Sequence, residues 1–195
     1  MNHMVKENNQ NPIDRDKKIA YTLFDYMEVI VFSICFVFIV FTFLGRVSVV
    51  SGNSMQQTLS HNDTILVSSL PYTPKLGDVV VFRAPYSVPY GDEHLVKRVI
   101  ATENQTIDID FSTWTVTVDG QKIDESDYLY LSGFPYHSEI SFPYTVPEGK
   151  VFLMGDNRYG SHDSRTYDIG AVDVDYIVGP VIFRLFPINK LGLID

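Results

Sequence analysis

Residues 113–124 read TWTVTVDGQKID, and this stretch sets the class of the fold. Trp114, Val116 and Val118 alternate with threonines, the two-residue period of a strand with one buried face. Asp119-Gly120 tolerates the positive φ angles of a two-residue turn, and Gln121–Asp124 supplies the returning strand. Outward from this hairpin lie further short β-branched runs separated by turn residues. They are Thr64–Ser68, Asp78–Arg83, Leu95–Ala101, Gln105–Ile109, Val151–Met154 and Tyr176–Leu185, with Thr113–Val118 as the hairpin's first arm. No stretch there sustains a helical period and no repeat is visible. The expected architecture is mainly β, one folded unit. Two loops, Leu70–Pro74 and Ser132–Pro147, interleave proline with Tyr and Phe, which keeps them out of central strands. They read either as wrapped surface loops or as an amphipathic rim on a lipid interface.

Upstream, residues 29–44 read VIVFSICFVFIVFTFL, sixteen in a row without a charge. As a helix this run reaches about 24 Å, slightly short of a ~30 Å hydrocarbon core. Tyr26, Met27 and Gly45 extend it, and Arg46 snorkels to the interface. The expected partition is a cytoplasmic tail at 1–25, a transmembrane helix at 26–45 and an extracytoplasmic β-domain at 46–195. The polar residues 1–18 read as disordered. Arg15, Lys17 and Lys18 precede the span closely, whereas the next basic residue after Arg46 is Lys75. Basic residues stay on the cytoplasmic side, and Asp14, Asp16, Asp25 and Glu28 count weakly against them. A cleavable secretory signal ending near Val49-Val50-Ser51 competes with a retained anchor. The long polar lead and long apolar run favour the anchor.

The chain has 195 residues, 45% of them apolar and 20% charged, enough to bury a core. Beyond residue 46 there are 10 Lys and Arg against 19 Asp and Glu, which accounts for the whole net charge of −9. Such a surface repels nucleic acid. Cys35, the single cysteine, lies in the apolar run as a small filler, so internal disulfides and cysteine-based zinc sites are excluded.

Three segments carry candidate chemistry. Ser51-Gly52-Asn53-Ser54-Met55 follows the span directly, with Gly52 suited to a tight turn that leaves backbone N–H groups aimed at one point. In His94-Leu-Val-Lys-Arg-Val-Ile100, Leu95, Lys97 and Val99 share one face and Val96, Arg98 and Ile100 the other. One of the two adjacent cations therefore sits among apolar neighbours, where desolvation favours a neutral amine. Bringing a lysine from ~10.4 to half deprotonation at pH 7 costs roughly 4 kcal/mol, which is expected mainly where a base is needed. The third segment is Gly155-Asp-Asn-Arg-Tyr-Gly-Ser-His-Asp-Ser-Arg165. There Asp163 and Arg165 are placed to form a fixed pair and Ser161 to orient an amine. His162-Asp163 also invites a triad reading, but neighbours on one loop rarely aim at one atom. No G-x-S-x-G, H-E-x-x-H, glycine-rich phosphate loop or Ser-x-x-Lys is present.

In this order behind a single span, the segments resemble type I signal peptidases, in particular the short Gram-positive form. Ser51–Leu59 is similar to that family's S-G-x-S-M-x-P-T-L stretch, Lys97–Ile100 to its K-R-V-I strand, and Gly155–Arg165 to its G-D-N-R-x-x-S-x-D-S-R box. Gly77–Phe82 resembles the preceding strand, and the likeness covers about residues 29–190. The resemblance implies a signal-peptidase-like β-domain with Ser54 as nucleophile and Lys97 as general base. Ser161 would hold the lysine, with Asp163, Arg165 and Asp156 supporting the site. It implies no metal or cofactor. It further implies exported preproteins with small residues at −3 and −1 as substrates, and membrane lipid and the secretion machinery as partners. Gln57 stands where the family has proline, Ala101–Gln105 replaces a glycine-rich turn, and Gly52 replaces a hydroxyl that some relatives aim at the oxyanion. Two rival readings are a self-cleaving Ser/Lys protein related to SOS repressors and a non-catalytic family member that scaffolds surface-fibre or pilus assembly.

Overall fold

The computed structural model describes residues 12–84, 94–135 and 137–194. The chain divides between Phe43 and Leu44 into two compact units. The first contains one helix, α1 (Pro12–Leu44). From Lys17 to Ile39 its side chains are all exposed, and it is long and apolar enough to cross a bilayer. Residues 12–18, expected to be disordered, are instead helical; residues 1–11 of that tail lie outside the described residues. Proline suits the first helical position, and lengthening an existing helix costs far less than nucleating one.

The second unit is mainly β, as expected. Its strands are β1 (Gly45–Val49), β2 (Thr64–Ser68), β3 (Val79–Arg83), β4 (His94–Thr102), β5 (Thr106–Asp110) and β6 (Thr115–Val118). They continue with β7 (Gln121–Lys122), β8 (Tyr144–Thr145), β9 (Lys150–Met154), β10 (Val172–Asp173), β11 (Ile177–Phe186) and β12 (Gly192–Leu193). All paired strands run antiparallel. The larger sheet has the order β1-β2-β11-β3-β4-β9-β10, with β12 also on β11, and the smaller one β7-β6-β5-β8. At the β6–β7 hairpin Asp119 and Gly120 take φ of 52° and 76°, the positive pair that the turn requires.

Val79, Val80, Val81 and Phe82 of β3 are all buried, because apolar residues cover both faces of this central strand. Val80 and Phe82 pack with Val99, Leu153 and Ile169, while Val79 and Val81 pack with Met55, Leu59, Ile65 and Val67. A third cluster joins Ile100, Phe152 and Met154 to Ile107, Ile109, Val116 and Val118 of the smaller sheet. β4 thus contributes to all three clusters, and from Lys97 onward to Ala101 its residues are buried.

Candidate active site

β1 feeds the chain directly into a turn at residues 50–55. Val50 N–H donates to Asp63 O at 2.8 Å and Asn62 N–H to Val50 O at 2.9 Å, closing the base of this excursion. Gly52 takes φ of 90°, a conformation that L side chains rarely adopt, and its N–H donates to His61 Nδ1 at 3.2 Å. Met55 and Leu59 plug into the core behind β2 and β3, which leaves Ser54 half-buried at the surface of that core.

Lys97 reaches Ser54 from β4. It pairs in register with Val80, so its stem runs over apolar wall, and the whole residue is only 3% exposed. Its Nζ lies 2.8 Å from Ser54 Oγ and donates to Val96 O at 3.0 Å. Burial pushes this amine down to about 8; Asp163 and Asp156 oppose the shift and Arg165 adds to it. That is a smaller drop than half deprotonation at pH 7 demands. About a tenth of such an amine is neutral at pH 7.

Three buried arginine–carboxylate pairs frame these two residues. Arg165 grips Asp163 through Nε and Nη2, both at 2.8 Å, and also donates to Arg158 O at 2.8 Å. Burial alone would raise the Asp163 carboxyl, but the Arg165 guanidinium and the Gly155 N–H hold it below its ordinary range. Arg98 grips Asp156 at 2.9 and 3.0 Å, with Thr58 donating to the same carboxylate at 2.5 Å. Arg158 grips Glu125, which lies outside every segment singled out in the sequence. The adjacent cations Lys97 and Arg98 are therefore both buried, on opposite faces of β4. The segment after Ser54 serves both faces: Ser54 meets Lys97, and Thr58 accepts from Arg98 at 3.2 Å.

Over residues 23–186 the chain matches the family described as signal peptidase, peptidase S26. The chain belongs to the signal peptidase family. Signal peptidase I T of Bacillus subtilis is 32% identical over 96% of this chain and 98% of its own length. Signal peptidase I P of Bacillus subtilis subsp. natto is 32% identical over 91% and 97%. A crystal structure of a signal peptidase I from Enterococcus faecalis covers 57% of this chain and 99% of its own at 26% identity, with a TM-score of 0.45. The family is one of serine endopeptidases, and this signal peptidase is an enzyme of that class.

In this signal peptidase, Ser54, Lys97, Asp156, Asp163 and Arg165 converge as a network. Ser161 departs from the role that the resemblance implies. Its Oγ is buried and makes no hydrogen bond to Lys97, whose second partner is the Val96 carbonyl instead. His162 Nε2 lies 2.9 Å from Asp168 Oδ1, while Asp163 is gripped by Arg165. Glu125 was not foreseen because it stands in a polar turn. A usable signal was a surplus of arginines in buried settings, each of which requires a carboxylate. Within the loop at 132–147, residues 137 and 139 are tied to the box: Glu139 N–H donates to Arg165 O at 2.9 Å, and Arg165 Nη1 to His137 O at 3.4 Å. A cavity of about 660 Å³ lies on the Arg98 side, lined by Thr58, Gly77, Arg98, Tyr128 and Arg184, and neither Ser54 nor Lys97 lines it.

Gly155 holds the network at its tightest point. A Cβ there would lie 2.6 Å from Ser54 O and closer still to Ser161 Oγ. Gly155→Ala is expected to push Ser54 away from Lys97, lowering peptide cleavage at least about tenfold and stability by about 1–3 kcal/mol. Cleavage rates and thermal melts of the two proteins check this.

Proposed function

We propose that this signal peptidase is a single-pass membrane endopeptidase that removes N-terminal signal peptides from exported preproteins. In this reading the N-terminus is cytoplasmic and the catalytic β-domain, residues 46–195, lies outside the cell membrane. Its substrates carry small residues at −3 and −1. The observation that carries the mechanism is the 2.8 Å approach of a buried Lys97 amine to the Ser54 hydroxyl. The neutral amine takes the Ser54 proton as Oγ bonds to the scissile carbonyl carbon. The C–N bond then breaks, Lys97 returns the proton to the leaving amine, and Ser54 is left as an ester. Lys97 next deprotonates a water that attacks this ester, and the released Oγ regains its proton. Among the described residues no acceptor takes the backbone N–H of Ser54, which is thereby available to the oxyanion. Arg15, Lys17 and Lys18 before the span support the orientation. Tethering enzyme and precursor to one membrane raises their effective concentration.

The test is cleavage of a precursor by the purified full chain between pH 6 and 9. Only the neutral amine is active, so kcat/KM is expected to rise with pH, reach half its plateau near 8, where Lys97 titrates, and level off above that. Below that midpoint each pH unit costs about tenfold. A flat profile overturns the lysine base, and absence of cleavage overturns the reading.

A further inference from the structure

Phe134 is 92% exposed, more than any other large apolar residue described in the second unit, and Leu131 near it is 43% exposed. Isolated exposed rings are common, and what singles these out is where their backbone is fastened. Tyr130 N–H donates to Asp156 O and Arg158 N–H to Tyr130 O, each at 2.9 Å, so the segment adds to the Gly155–Arg165 box as a short parallel bridge with Asn157. Ser132 N–H donates to Asn157 Oδ1 at 3.2 Å, and Asn157 Nδ2 donates onward to Asn53 O at 3.4 Å. Asn157 N–H also holds Ser54 O at 2.9 Å. One amide side chain therefore separates the backbone of residue 132 from that of the turn bearing Ser54. Beyond it, a Cβ on Gly133 would lie 3.8 Å from Tyr159 Cβ, so the backbone of the segment packs closely against the box.

From this tethering we infer that Leu131 and Phe134 form a hydrophobic lip of the substrate cleft, contacting the polypeptide substrate beyond the residues at its cut site. The inference rests on the endopeptidase reading above. The occupant follows from continuity: the buried Asn157 amide ties the backbone of residue 132 to that of Asn53, next to Ser54, so the flanking residues of a polypeptide held at Ser54 have this lip within reach. A lip fastened at Tyr130 and Ser132 loses little further freedom when a chain packs on it. Lipid is the weaker occupant wherever headgroups are anionic, because the 19 acidic and 10 basic residues beyond residue 46 repel them.

The test uses the detergent-solubilised full chain and two soluble peptides with the same cut site, one long with apolar residues on both flanks, one trimmed close to the scissile bond. Burying part of a phenylalanine ring is worth about a factor of ten in binding. Phe134→Ser is expected to lower kcat/KM on the long peptide about tenfold, mostly through KM, and to affect the short peptide far less. Phe134→Leu restores most of the loss. Equal losses on both peptides, or a loss seen only when the precursor is embedded in vesicles, overturn the lip; the second result points to lipid contact. If the wild type cuts both peptides and Phe134→Ser matches it, the lip fails alone. If the wild type cuts neither, the endopeptidase reading fails and the lip with it.

Discussion

Lys97→Met is expected to abolish precursor cleavage, by three orders of magnitude or more, while raising the melting temperature. Ser54→Ala is expected to remove at least as much activity. Because the two side chains act as a unit, the double variant should be no worse than the poorer single one. The gain in stability comes from the amine's burial. Its pKa falls from 10.5 in the unfolded chain to about 8 in the fold, so below pH 8 the protein carries the full penalty of an enclosed ammonium. This penalty amounts to about 3 kcal/mol, less what the two hydrogen bonds of Lys97 return. The sign across pH follows. Between 8 and 10.5 the unfolded state holds the proton that the fold has lost, so wild-type stability rises with pH in that window. In Lys97→Met that rise disappears. Thermal melts at pH 7 and pH 10 check both statements. A variant no more stable than wild type at pH 7 would mean that the amine is not strained.

Asp163→Ala is the second large effect. The carboxylate and Arg165 are both fully buried, and removing one partner strands a guanidinium with no water to solvate it. Breaking such a pair costs about 3–5 kcal/mol. In a protein of this size that corresponds to a drop in melting temperature of roughly 10 °C. The companion Asp163→Ala/Arg165→Met, which removes both charges, is expected to be clearly more stable than the single variant. Equal melting temperatures for the two would show that the pair contributes little. Asp163 also raises the Lys97 pKa while Arg165 lowers it. Asp163→Asn should therefore move the acid limb of the activity profile to lower pH, provided that the protein folds.

Local pattern carried much of the fold. Alternation in Thr115–Val118 and the Asp-Gly turn require only neighbouring residues, and the uninterrupted apolar run of β3 signals a strand covered on both faces. β1 was hidden because Gly45–Val49 merges with the end of the apolar span, and β8, β10 and β12 are two residues each, too short to show a period. The site was legible in part. Ser54, Lys97 and the Gly155–Arg165 box stand out as residue types, yet Lys97 and Arg98 looked like alternatives for one buried position. Both are buried, because the segment from Ser54 to Thr58 reaches both faces of β4: Ser54 meets Lys97, and Thr58 joins Asp156 of the box at Arg98.

From the linear chain alone one can read which side chains are chemically unusual: a lysine sharing a strand face with Leu95 and Val99, a serine two residues after a glycine, an acid two residues before an arginine. Partnership is another matter. Arg98 meets Asp156 and Arg158 meets Glu125 across separations of 58 and 33 residues. The amine of Lys97 finds a hydroxyl 43 residues away. Contacts at such separations depend on strand register and on which core each turn residue enters, and both are settled by packing of the whole β unit. Desolvation is likewise a property of the assembled walls, so the titration of Lys97 near 8 belongs to the tertiary structure.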